Sequence, residues 1–302
     1  CGPISSANEL LPQIKSAKKF DYAQAVSGLR WLLWGMFLKV VFADRLGIYV
    51  DTVYSNPLHH TGTSNLIAAV FYSLQIYGDF AGYSFMALGV SKLLGYDIIK
   101  NFNRPYFATS VSMFWKRWNI SLTRWLTTYI YIPQGGSRKG TLRTYWNIML
   151  TFLVSGIWHG ANWTFILWGL IHGFAQCVEK SLGLNKPVEK KWLVLPRIAL
   201  TFTIVTFAWI FFRLPTIGGA WDVIKHIFSF GKPFIELITM VHILFAIVVV
   251  AAVDYLMEYK AVAIRSLISR YTVIRWGTYL FLTLSLLLFG VLNSGQFIYV
   301  SF

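Results

Sequence analysis

Apolar runs, broken by short polar or charged stretches, set the layout of this chain. Residues 2–21 are polar, with Pro3, Pro12 and several lysines, and read as a loop or interfacial segment. Residues 26–50 are largely apolar but carry Arg30, Lys39, Asp44 and Arg45, a pattern that predicts a helix packed in protein or lying partly at an interface. After a loop at 56–62, residues 65–94 form a run long enough to cross about 30 Å of hydrocarbon at about 1.5 Å per residue. Two shorter apolar segments, 146–158 and 163–178, meet at His159-Gly160-Ala161-Asn162, where tilt or a bend near Gly160 is expected. A charged hydrophilic loop at 179–192 then leads to three ordinary spans, 193–212, 237–257 and 276–292, with Arg213, Lys260, Arg265, Arg270 and Arg275 at or near their ends. The pattern predicts an all-α, polytopic transmembrane helical bundle with shorter re-entrant or interfacial helices.

Composition agrees. Of 302 residues, 56% are hydrophobic, 18% aromatic and 13% charged, well outside the range of a soluble domain. The formal net charge of +15 is explained by basic loops on the cytoplasmic side of a bilayer rather than by a nucleic-acid site. Cys1 and Cys177 have no metal-binding spacing, and the neighbouring His59 and His60 read as a solvated loop pair in preference to a metal site. The chain begins with Cys1-Gly2-Pro3-Ile4, without Met, and is expected to be a fragment of a longer parent.

Three places carry candidate chemistry. Asp79, in Gly78-Asp79-Phe80-Ala81-Gly82-Tyr83-Ser84, is expensive in lipid and is expected to face the bundle interior and find a partner, as a structural hydrogen-bonding group or as part of a reaction. Residues 101–143 combine Trp115, Trp118, Trp125, Tyr129 and Tyr131 with Lys116, Arg117, Arg124, Arg138, Lys139 and Arg143, the signature of the cytoplasmic water–headgroup boundary. That stretch is either a lipid anchor or the place where a phosphorylated donor docks, with Arg138 and Lys139 in the Gly135-Gly136-Ser137-Arg138-Lys139-Gly140 turn as its contacts. His159 lies between Trp158 and Trp163 inside an apolar run, so it is either a functional imidazole or a hydrogen-bonded packing histidine. His172, His226 and His242 read as structural.

The residues then point to a family. Asp79-Phe80-Ala81-Gly82-Tyr83-Ser84, Asn101-Phe102-Asn103-Arg104-Pro105-Tyr106, Phe114-Trp115-Lys116-Arg117-Trp118-Asn119-Ile120-Ser121-Leu122 and Trp158-His159-Gly160-Ala161-Asn162-Trp163-Thr164-Phe165 occur in order. The set resembles the membrane-bound O-acyltransferase family in its bacterial alginate O-acetyltransferase branch. The turn from Tyr131 to Gly140 resembles that branch more than the teichoic-acid D-alanylation branch. The resemblance runs over most of the chain and treats 1–302 as one acyltransferase core that lacks N-terminal membrane helices of its relatives.

The resemblance implies transfer of an acyl group to a hydroxyl of an extracytoplasmic polysaccharide by a multi-pass protein of the bacterial cell membrane. It implies no bound cofactor, acetyl-CoA as the acyl donor, an extracytoplasmic acetyltransferase or acyl-relay protein as partner, and a central catalytic tunnel across the bundle. His159 matches the catalytic histidine and is expected to act as general base, help typically worth about 10²–10⁴-fold. Asn119 stands where many bacterial relatives have a second histidine; an amide cannot take that proton, so Asn119 is expected to orient the donor or bind the oxyanion. Asp79, Asn162, Arg138 and Lys139 are counted with the substrate-binding positions, and Trp115, Trp118, Trp158 and Trp163 are expected to exclude water. D-alanyl transfer to teichoic acid, a proton-relaying transporter built on His159 and Asp79, and a scaffold without activity are the competing readings.

Overall fold

Helices follow the apolar runs closely. The structure, a computed structural model, describes residues 2–291, and no strand occurs among the described residues. Cys1 and Leu292, the last residue of the final expected span, lie outside them. Helix α1 is Ala7–Lys15; α2, Tyr22–Met36, is capped by Asp21, whose carboxylate accepts the Gln24 N–H. A π-helical segment, Phe37–Ala43, joins α2 to α3, Asp44–Ser55, so Tyr22–Ser55 is one helical stretch of 34 residues, long and apolar enough to cross a membrane. Six of the seven residues of its π-helical segment are buried, as the charges in this run led us to expect. Helix α4, Gly62–Leu93, is followed by two short helices, α5 (Val111–Arg117) and α6 (Ile120–Leu126).

Helices α7 (Thr141–Trp158) and α8 (Trp163–Ser181) are longer than the apolar segments alone predict, and α8 runs on through Glu179, where the hydropathy pattern predicts a loop. That carboxylate is buried and hydrogen-bonded, so it has no need of solvent. Helices α9 (Val194–Arg213), α11 (Leu237–Tyr259) and α13 (Thr272–Phe289) are the three ordinary spans, each long and apolar enough to cross a bilayer. Between them lie α10 (Ile217–Ile227) and α12 (Ala261–Arg270), both amphipathic and both unanticipated.

The chain forms two compact units. Among the described residues, the first takes those before Val50, Leu74–Lys100 and those from Ile235 onward. Within it α2 and α4 touch at glycines. A Cβ on Gly28 would lie 2.7 Å from the Gly89 carbonyl, and one on Gly35 2.7 Å from that of Gly82, the close approach that small residues permit between membrane helices. Lys39 Nζ sits 2.6 Å from Asp79 Oδ1 and 2.8 Å from Asp44 Oδ1, so Asp79 has the buried partner its position requires.

The second unit takes Val50–Ser73 and Asn101–Phe234. Its core is a cluster of fully buried rings, among them Phe114, Trp118, Trp168, Trp209 and Phe212. Around them, Ser73 Oγ donates to Thr206 Oγ1 at 2.9 Å, the Tyr106 hydroxyl donates to the Ser73 carbonyl, and Arg213 pairs with Asp51 at 2.8 Å.

Candidate functional site

Helices α7 and α8 form a hairpin whose tip presents His159. The two run close because glycines line the contact: a Cβ on Gly169 would meet the Phe152 carbonyl oxygen at 2.3 Å and one on Gly156 the Phe165 carbonyl oxygen at 2.5 Å. His159 ends α7, its N–H donating to the Gly156 carbonyl at 3.1 Å. Gly160 follows with φ 141°, a backbone conformation that residues bearing a side chain rarely adopt, so the chain turns here as expected. Asn162 starts α8 by accepting the Thr164 N–H at 3.0 Å, and its amide nitrogen donates to the Pro215 carbonyl at 3.0 Å. Both ends of the Asn162 side chain are thus engaged in shaping the tip.

The His159 imidazole is buried and walled by ring edges. Its centroid is 5.0 Å from that of Trp168, 5.1 Å from Trp158 and 5.1 Å from Phe212, each nearly perpendicular. Trp163 is 73% exposed, and five residues separate it from Trp168, which turns the two about 140° apart around α8. Trp168, Phe165 and Phe212 also approach the imidazole; the first two come from α8 and the third from α9, so no local pattern in the sequence marks them as its neighbours.

The same unit holds a clasp between 101–103 and 117–121. The Ile120 N–H donates to the Asn101 carbonyl and the Asn103 N–H to the Arg117 carbonyl, both at 2.9 Å. Asn119 lies inside this clasp, buried, with φ 42° and ψ 56°, a left-handed conformation that asparagine tolerates better than most residues. Trp118 beside it packs on Trp209 (5.2 Å), Trp209 on Trp168 (5.6 Å) and Trp168 on His159. The two expected catalytic positions are therefore joined through one aromatic core.

Helix α5 is held to α8 by Glu179. Its carboxylate accepts the N–H groups of Val111 (2.5 Å) and Ser112 (3.1 Å), while Ser110 Oγ accepts that of Met113 (3.0 Å). A carboxylate at a helix N-terminus satisfies donors that the helix itself leaves open. Burial pushes the Glu179 carboxyl up from its ordinary value, and the two N–H donors and the Arg197 charge pull it part of the way back.

A cavity of about 340 Å³ opens along α5, α7 and α8. Trp115 and Phe152 give it an apolar wall, Ser155 lies one turn before His159, and Tyr131, Lys116 and Lys180 also line it. Arg138 and Lys139, the expected donor contacts, are exposed in their turn, so the cations at this cavity are others. His172 is fully buried, edge-on to Trp115 (5.1 Å) and Trp168 (5.2 Å). Asp79 belongs to the first unit and its ion pair. Among the described residues no three His, Cys, Asp or Glu side chains are grouped to hold a metal ion.

Comparison with known proteins agrees with the motif reading. The model of the MBOAT, membrane-bound O-acyltransferase, family matches residues 1–215. The chain is 37% identical over 234 residues to the probable alginate O-acetylase AlgI of Pseudomonas aeruginosa, covering 76% of this chain and 44% of that protein. It is 37% identical over 229 residues to the peptidoglycan O-acetyltransferase of Helicobacter pylori, covering 74% and 43%. Similarity to the teichoic acid D-alanyltransferase of Bacillus subtilis is lower, 26% over 225 residues, covering 70% and 57%. The chain thus spans roughly half the length of the curated relatives it matches.

Proposed function

The chain belongs to the membrane-bound O-acyltransferase family, and from that premise we propose that the protein moves an acetyl group from acetyl-CoA to hydroxyls of an extracytoplasmic polysaccharide. The observation that carries the reading is the imidazole of His159, buried at a helix break and fixed on three sides by rings. A sugar hydroxyl is a poor nucleophile near neutral pH. His159 takes its proton as the oxygen attacks the thioester carbonyl, a C–O bond forms, and the charge that develops on the carbonyl oxygen is met by the Asn119 amide. Collapse of the tetrahedral intermediate breaks the C–S bond, and the proton held by His159 leaves with the CoA thiol.

The cavity beside α5 suits the donor. Its apolar wall at Trp115 and Phe152 matches a pantetheine arm, and Lys116 and Lys180 match phosphates. The basic, aromatic stretch around it supports a cytoplasmic donor side, and hence a multi-pass protein of the bacterial inner membrane working with an extracytoplasmic relay or acetyltransferase partner. The higher identity to the two O-acetyltransferases supports acetyl over D-alanyl as the group moved.

The test is transfer of label from acetyl-CoA to polysaccharide in membranes holding the protein and its partner. His159→Ala is expected to lower the rate by about 10²–10⁴-fold. Transfer by His159→Ala equal to wild type would sink the assignment, and label supplied only from a D-alanyl carrier would move the reading to the other branch.

A further inference from the structure

We infer that Asn101 is a positioning residue: it determines which end of the Asn119 amide faces the reacting groups. The inference rests on the role proposed for Asn119, and it starts from a group whose direction is not in question. A backbone N–H can only donate, so the atom of Asn101 that meets the Ser121 N–H at 2.9 Å is its oxygen, Oδ1. The Asn101 amide is then turned with Nδ2 toward Asn119, at 3.1 Å, where only an oxygen can receive it. Asn119 Oδ1 is thereby used, and Nδ2 with its two N–H groups is the end left to act. No acceptor for that nitrogen occurs among the described residues.

Neither amide can turn over alone. A flip of Asn119 would set two N–H groups against each other, and a flip of Asn101 would oppose two N–H groups at Ser121 and two oxygens at Asn119. Both residues are buried, so water does not relieve such a clash. The backbone holds them in register, with the Ile120 N–H on the Asn101 carbonyl (2.9 Å) and the Thr123 N–H on the Asn119 carbonyl (3.0 Å). Asn119 is consequently a fixed donor. It can bind a carbonyl oxygen that gains charge, and it cannot accept the proton of an attacking hydroxyl.

The experiment compares Asn101→Asp, Asn101→Ala and Asn119→Ala in the full-length protein, in membranes with its partner, with kcat expressed per folded molecule and KM measured for acetyl-CoA. Aspartate keeps an acceptor for Ser121 but turns a second oxygen toward Asn119, which then rotates its NH₂ inward to meet that oxygen and presents its own oxygen to the reaction. Alanine removes both hydrogen bonds and leaves Asn119 able to turn either way. We expect Asn101→Asp to lose kcat by about 10²–10³-fold, the cost of an oxyanion donor, with KM little changed, and Asn101→Ala to lose less. A residue that only stabilises the clasp gives the reverse order, since alanine deletes more bonds, and it acts on folded yield in place of kcat. Unchanged kcat in Asn101→Asp together with a loss in Asn119→Ala overturns the positioning role alone. Unchanged kcat in Asn119→Ala overturns the role of Asn119 and the inference with it. If Asn101→Asp does not fold, Asn101→Ala decides: a lower kcat per folded molecule sustains the inference, and an unaltered one ends it.

Discussion

The two units bury polar groups by opposite means. In the first, Lys39 sits between Asp44 and Asp79 on and beside a π-helical segment, and charge answers charge at 2.8 and 2.6 Å. In the second, His159 is walled by the edges of Trp168, Trp158 and Phe212, and Asn119 is answered by another neutral amide. In the ion cluster one ammonium bridges two carboxylates, so each member depends on a fixed charged neighbour. Rings hold an imidazole in place and carry no charge that has to be matched. On the function proposed above, the contrast places Asp79 with the framework and His159 with the chemistry.

Replacing His159 by Phe tests the second half of that contrast. An aromatic of similar size in a ring-lined site is expected to change stability by no more than about 1.5 kcal/mol, whereas loss of the base lowers acetyl transfer by about 10²–10⁴-fold. Thermal unfolding of the full-length protein in detergent beside the labelled-transfer assay separates the two. A large fall in Tm would mean that the imidazole is a structural group after all. For the ion cluster the expectation is inverted. Lys39→Met leaves two buried carboxylates without their cation, and breaking a buried pair from one side costs about 3–5 kcal/mol. Exchanging Lys39, Asp44 and Asp79 together for apolar residues of like size should restore most of that loss, and failure to do so would locate the stability in packing instead of charge.

Much of this arrangement was legible in the chain. The apolar runs gave the long helices, the cost of Asp79 in lipid foretold a buried partner, and Gly160 marked the turn at His159. What could not be read was who meets whom. Lys39 looked like an interruption of an apolar run, and its pairing with Asp79 depends on the glycine contacts that bring α2 against α4. Trp168 and Phe212 reach His159 only because α8 folds back on α7 and α9 follows. Glu179 was misread for a related reason: hydropathy scores a carboxylate as polar wherever it stands and cannot distinguish a charged loop from a side chain that caps another helix. Asn101 stood in a recognised motif, but the use of its amide follows from a backbone N–H twenty residues later.

Glu179 supplies a smaller effect on the site-bearing unit. Glu179→Ala leaves the Val111 and Ser112 N–H groups without acceptors and should cost about 1–3 kcal/mol, Glu179→Gln less because one acceptor survives. Since burial raises its pKa in the folded state, the folded chain holds this proton more tightly than the unfolded chain does. The contribution is therefore largest below the unfolded carboxylate pKa and declines as pH rises through the folded value. Glu179→Gln should flatten that decline in a series of Tm measurements against pH, and an unaltered slope would mean that Glu179 does not cause it.

The smallest expected effect separates the cations at the cavity from those in the neighbouring turn. Lys116 and Lys180 line the space assigned to the donor, while Arg138 and Lys139 are exposed in their glycine-rich turn. A partly exposed ammonium that meets a phosphate contributes on the order of 1 kcal/mol, roughly a fivefold change in an equilibrium constant. Lys116→Ala and Lys180→Ala should each raise KM for acetyl-CoA by about that factor with kcat little altered, because the phosphates lie away from the reacting carbonyl and bind alike in ground and transition states. Arg138→Ala and Lys139→Ala should leave KM unchanged within error. The opposite pattern would return the donor to the turn, where the aromatic and basic sequence first suggested it. It would also detach the cavity from the path by which an acetyl group reaches His159.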